Sequence, residues 1–163
     1  MDDDAASERE ELPEEPAERV RAVVARVVDA LDVEGTVEVH EDEDEIRAVV
    51  EGPDLGVLIG RHGSTIDALQ DIASRAAYPG PVQTRKRVVV DAADYRARRE
   101  ESLRRQADRA VADALDFGRP VELEPMSPHE RKVVHNYLAE RADVETHSEG
   151  DEPERRLVVT PVG

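Results

Sequence analysis

The sequence predicts an α+β fold, built as two small modules in series and joined by a long helix, and three observations carry that prediction. Stretches with apolar residues every three to four positions alternate with stretches of strict apolar–polar alternation. A tight loop, Leu58-Ile59-Gly60-Arg61-His62-Gly63-Ser64-Thr65-Ile66, follows two such strands and feeds a helix. A second set of strand, capped helix and two strands comes after a 23-residue helical stretch at 95–117. With 163 residues and 39% hydrophobic content, the chain can bury two cores of modest size.

Residues 1–16 are dense in Asp and Glu, interrupted by Pro13 and Pro16, and nearly free of large apolar side chains, which predicts a disordered acidic tail. From Ala17 the positions Val20, Val23, Val24, Val27, Val28 and Leu31 follow a 3.6-residue period, predicting an amphipathic helix that stops near Glu34-Gly35. Thr36-Val37-Glu38-Val39-His40 alternates as a strand and 46–51 supplies a second, the two forming a hairpin across an acidic turn at 41–45. Gly52-Pro53 breaks the pattern and 55–59 gives one helical turn. Beyond the loop, Ile66, Leu69, Ile72, Ala73 and Ala76 recur at helical spacing, and Ser64 with Asp67 forms a variant of the capping box, so a helix begins just after Gly63. It ends at Tyr78-Pro79-Gly80-Pro81, and Arg85-Lys86-Arg87-Val88-Val89-Val90-Asp91 is the third strand. The first module is therefore expected to span 17–92.

The second module is expected to span 93–163. Its long helix carries Leu103, Ala107, Ala110, Val111, Ala114 and Leu115 on one face, with Arg98, Arg99, Arg105 and Arg109 largely off it, and Gly118 as its stop. A short strand lies at 121–125. Ser127 as N-cap, Pro128 at N1 and Glu130 at N3 open a helix expected to run to about 141. Strands at 144–147 and 156–160 close the chain.

The chemistry of the first loop follows from its residue types. A helix N-terminus presents backbone N–H groups without intrahelical acceptors, and the two glycines let a sugar-phosphate chain approach without meeting a Cβ. A net charge of −17 opposes a polyanionic ligand, but the charge is uneven. Residues 1–58 hold 20 acids against 5 Arg, whereas 60–109 hold 11 basic residues against 7 acids. The acidity therefore lies mainly upstream of the loop. Aromatic residues make up only 2%, which excludes an aromatic base-stacking platform, and the lack of cysteine excludes thiolate metal sites. No apolar run is long enough for a membrane span, and no signal peptide is evident, so a cytoplasmic protein without membrane insertion is expected.

In the order helix, strand, strand, helical turn, Gly-x-x-Gly, helix, strand, the stretch 17–92 resembles the type II KH nucleic-acid-binding domain (α-β-β-α-α-β), whose Gly-x-x-Gly loop clamps a short run of nucleotides. Arg131-Lys132-Val133-Val134-His135 resembles the signature of the Arg-x-x-x-His single-stranded-nucleic-acid-binding domain. Together with Glu122-Leu123-Glu124-Pro125-Met126-Ser127-Pro128-His129-Glu130-Arg131, the segment 148–156 and the Asp91-x-x-x-Tyr95-Arg96 connection, the chain is similar to the Jag (SpoIIIJ-associated) family. Longer members carry a further N-terminal domain, where this chain has the acidic tail. The resemblance implies single-stranded RNA as ligand, with single-stranded DNA as the other candidate. It also implies a role in post-transcriptional control linked to cell elongation or division, and a small separate KH-domain protein as partner.

The expected contacts are Gly60, Arg61, His62, Gly63 and Ser64 in the first module and Arg131 with His135 in the second. Arg131 and His135 share a helix face, about 40° apart; the arginine offers a planar fork to phosphate and the histidine a donor and a flat ring. Further phosphate contacts are expected from Arg85, Lys86, Arg98, Arg99 and Arg105. An enzyme is not expected. His129 and His135 are six residues apart, so they point about 240° apart and cannot share a metal ion, and Ser148 lacks a nucleophile elbow. No cofactor is expected either. The competing function is a protein-interaction adaptor, with the loop idle.

Overall fold

Val20, Val24 and Val28 fall on one stripe of the first helix and are all buried. This element, α1 (Pro16–Ala30), starts one residue earlier than expected because Pro16 itself supplies the first helical turn. The structure, a computed structural model, describes residues 13–163, so most of the expected acidic tail lies outside the described residues. The chain divides into two compact units, the first ending at Tyr95 and the second starting at Arg96.

In the first unit, β1 (Thr36–Glu41) and β2 (Glu45–Glu51) form an antiparallel hairpin, with Asp42 Oδ1 accepting the N–H groups of Asp44 and Glu45 at 2.8 Å each. The chain then makes α2 (Gly56–Ile59), one 3-10 turn (Arg61–Gly63), α3 (Ser64–Ala77) and β3 (Arg87–Ala92). β3 lies parallel to β2, giving the sheet order β1-β2-β3. Ile46, Ala48 and Val50 of β2 and Val88, Val90 and Ala92 of β3 form one apolar face, closed by α1 and α3 through Ile66, Leu69, Ala73 and Ala77. The element order is that of the type II KH fold. One position departs from expectation. Ile72 stands about 100° from the middle of the buried α3 stripe and is 55% exposed, and Ala77 takes the inward position instead.

In the second unit, α4 (Tyr95–Phe117), whose first residue belongs to the first unit, is followed by β4 (Val121–Glu122), α5 (Pro128–Leu138), β5 (Val144–Glu149) and β6 (Arg156–Pro161). The sheet order is β4-β6-β5, all antiparallel. Leu103, Ala107, Ala110, Val111 and Ala114 of α4 pack with Met126, Val134, Leu138, Leu157 and Val159 into the second core. Leu115, expected on this face, is instead 42% exposed. α5 stops at Leu138, short of the expected 141. Among the described residues, no helix is long and apolar enough to cross a membrane.

Candidate nucleic-acid interface

The loop between α2 and α3 is built from left-handed backbone. Gly60 has φ 73°, His62 has φ 52° and Gly63 has φ 81°. Both glycines are also short of space. A Cβ on Gly60 would lie 2.2 Å from Thr65 Oγ1, and one on Gly63 would lie 2.7 Å from Tyr95 Cε1. The loop is thus pressed onto the body of the first unit from behind, while Arg61, His62 and Ser64 are exposed in front. Among the described residues, neither the Arg61 nor the His62 side chain has a hydrogen-bond or ion-pair partner, although the Arg61 carbonyl accepts the Ser64 N–H.

The start of α3 corrects one expectation. Gly63, in the left-handed conformation, is the N-cap, Ser64 is the first helical residue, and no side chain caps the helix. A serine one position too late cannot turn its hydroxyl back onto the first free N–H groups. The helix end therefore keeps its affinity for an outside anion, and Asp67 supplies the acidic residue of its first turn.

The cations at 85–87 turn toward protein acceptors. Arg85 Nη2 donates to the Gly80 carbonyl at 2.6 Å. Lys86 Nζ donates to Glu41 Oε1 at 2.8 Å and to the Asp42 carbonyl, and the Glu41 hydrogen bond raises its pKa above the ordinary lysine value. Arg87 bonds Glu45, whose carboxyl it holds below the usual range. The acidic β1–β2 hairpin thus pairs with Lys86, one of the expected phosphate contacts, and with the neighbouring Arg87, while Arg85 is held by a backbone carbonyl.

In the second unit, α5 opens with the expected capping box. The Glu130 N–H donates to Ser127 Oγ at 3.3 Å and the Ser127 N–H to Glu130 Oε2 at 3.0 Å. The other Glu130 oxygen accepts from Arg99 Nε at 2.6 Å, with the two side chains only 18% (Arg99) and 10% (Glu130) exposed. Arg99, expected as a phosphate contact, instead braces α4 against the start of α5. Arg131 is likewise paired within the protein. Its side chain is 9% exposed, with Nη1 donating to the Met126 carbonyl at 2.7 Å and Nη2 to Glu152 Oε1 at 2.5 Å. His135 is exposed, its Nδ1 2.6 Å from Thr146 Oγ1. Arg105 pairs with Glu101 one turn away, and Arg98 is exposed.

Of residues 60–64, Arg61, His62 and Ser64 are therefore exposed together while Gly60 is half-buried and Gly63 buried beneath them, and Arg131 and His135 share a helix but not an exposure. Tyr95, Glu130 and Glu152 shape these sites without having been singled out as site residues. Their partners Gly63, Arg99 and Arg131 lie 32, 31 and 21 residues away in the sequence, a separation that no local pattern reports. Among the described residues, no group of three His, Cys, Asp or Glu is placed to hold a metal ion.

Residues 17–91 match the family model for the KhpA/KhpB KH domain, and residues 101–161 match that for the Arg-x-x-x-His domain. A Clostridium symbiosum protein named RNA-binding protein KhpB is 34% identical over 155 residues, covering 95% of this chain and 68% of the relative. The Bacillus subtilis protein of that name is 31% identical over 150 residues, covering 90% and 71% respectively. A protein of that name from Streptococcus pneumoniae is 34% identical over 146 residues, which cover 90% of this chain and only 44% of the relative.

Proposed function

This chain belongs to the KhpB family of RNA-binding proteins, and from that premise we propose that it binds single-stranded RNA, with the loop 60–63 as the main clamp on the sugar-phosphate backbone. The observation that carries this reading is the loop itself. Two glycines that admit no Cβ, an uncapped helix start and two exposed cation-capable side chains without partners among the described residues fall within one short loop. Backbone N–H groups there can donate to a phosphate oxygen, and Arg61 and His62 add charge and hydrogen bonds at its edge. His135 and the exposed Lys132 provide a second contact on α5, with Arg131 behind them. The chain acts as a binder rather than a catalyst, within the cytoplasm, in post-transcriptional control connected with cell elongation or division. The name of the matching KH model, which joins KhpA with KhpB, supports a small separate KH protein as partner.

Titration of the full chain with a labelled single-stranded RNA at stepped salt tests this reading. Four clamped nucleotides imply a slope of log K against log salt of roughly −2 to −3, at about −0.7 per phosphate. Duplex RNA should compete poorly, and single-stranded DNA reports how far the 2′-hydroxyl matters. An absence of binding even at low salt would leave the adaptor function in its place.

A further inference from the structure

The signature arginine of the second unit already holds an anion. Arg131 is buried, and one edge of its guanidinium is committed to the Met126 carbonyl while Nη2 meets the Glu152 carboxylate. A carboxylate on an arginine occupies the same donor fork that a phosphate oxygen would take. With its side chain 9% exposed, Arg131 has no open face for an RNA phosphate while Glu152 is in place.

Glu152 is placed to leave. Its side chain is 51% exposed, and it lies in the stretch 149–154, the end of β5 and the turn toward β6, whose residues are all exposed. That segment is held across its base by Arg155 Nη1 on the Gly150 carbonyl at 3.0 Å and by the Met126 N–H on the Arg155 carbonyl at 3.2 Å. Met126 therefore anchors both the arginine and the base of the segment. If Glu152 swings into water, the guanidinium keeps its bond to the Met126 carbonyl and stays in position. His135, one turn further along α5, is exposed, with its ring on Thr146. Exchanging one anion for another also avoids leaving a buried guanidinium uncompensated, the costly alternative.

We propose that Glu152 is an intramolecular stand-in for an RNA phosphate: a strand reaches Arg131 only by displacing this carboxylate, and the segment 149–154 moves outward as it does so. The proposal rests on the reading that the second unit binds RNA, and it adds a competing anion that sets the threshold for that contact.

The test uses the full chain and a short labelled single-stranded RNA, with affinity measured by anisotropy at stepped salt. Glu152→Gln is compared with Glu154→Gln, which makes the same charge change two residues away, and both are repeated in an Arg131→Gln background. Glu152→Gln should tighten binding by at least about threefold and steepen the salt slope by about 0.7, one additional phosphate. Glu154→Gln should do neither, and in the Arg131→Gln background the two should be equal. Equal effects of Glu152→Gln and Glu154→Gln in the parent, or a Glu152→Gln effect that survives loss of Arg131, would overturn the proposal. A second readout needs no variant: on RNA addition the amide resonances of 149–154 should shift together with those of α5, and an unmoved segment beside a shifted 60–63 loop overturns it too. A parent chain that binds no RNA at all defeats the functional reading and this proposal together, whereas binding without coupling defeats this proposal alone.

Discussion

Gly63 and Tyr95 are in contact across 32 residues of sequence: a methyl group on the glycine would stand 2.7 Å from the tyrosine Cε1. The ring seals the back of the loop, so the loop's shape depends on a side chain at the far end of the first unit. Gly63→Ala therefore meets two obstacles, a left-handed backbone that costs roughly 1–2 kcal/mol and an overlap that costs about as much again. Chemical denaturation should show the first unit destabilised by about 2–4 kcal/mol. Tyr95→Ala in the same chain should relieve the overlap part, giving a measurable coupling in the double-mutant cycle.

Lys86 should matter little to RNA. Its ammonium is held by Glu41 and the Asp42 carbonyl, whereas the Arg61 guanidinium has no partner among the described residues. Lys86→Gln is expected to leave affinity within about twofold, while Arg61→Gln flattens the salt slope by about 0.7. Equal losses from the two would mean that Lys86 leaves its acidic partners when RNA binds.

Arg99 is expected to act on stability instead of affinity. Removing it strands the Glu130 carboxylate, 10% exposed, with only the Ser127 N–H as partner. Arg99→Ala should cost the second unit about 3 kcal/mol in denaturation while leaving the salt slope of RNA binding unchanged. A flattened slope without loss of stability would return Arg99 to the binding surface.

The acidic hairpin turn gives a pH signature. The N–H groups of Asp44 and Glu45, against the opposing effect of burial, hold the Asp42 carboxyl below the usual aspartate value. Because the folded pKa is depressed, its contribution to stability is present above the unfolded value and is lost as pH falls through the folded one. A carbon-detected titration should place Asp42 below ordinary aspartates, and a midpoint at or above theirs would show that the turn does not form as described.

Much of this was legible in the sequence because it depends on neighbours. The stripe Val20, Val24, Val28, the alternation in β2, the Gly-x-x-Gly loop and the Ser127–Glu130 cap are each set by residues within a few positions of one another. The rest depends on pairing at a distance. Arg99 and Arg131 read as surface cations until Glu130 and Glu152 are brought beside them, and nothing local marks either carboxylate as a partner. Ser64 reads as a cap because serine commonly is one; the helix does begin just after Gly63, but the left-handed Gly63 takes the cap position and Ser64 becomes the first helical residue. Ile72 reads as core because it is a large apolar residue three positions after Leu69, but it stands about 100° from the middle of the stripe and Ala77 is buried instead.

The most direct measurement is RNA affinity of the full chain carrying Arg61→Asp together with His62→Asp. Both side chains are exposed, and aspartate tolerates the left-handed conformation at position 62 better than most residues, so the fold and its circular dichroism should be unchanged. Two attractive groups become two repulsive ones at the phosphate, and binding to single-stranded RNA should fall by at least about a hundredfold at low salt. A folded double variant that binds RNA like the parent would contradict the account, because the loop at 60–63 would then not be the clamp.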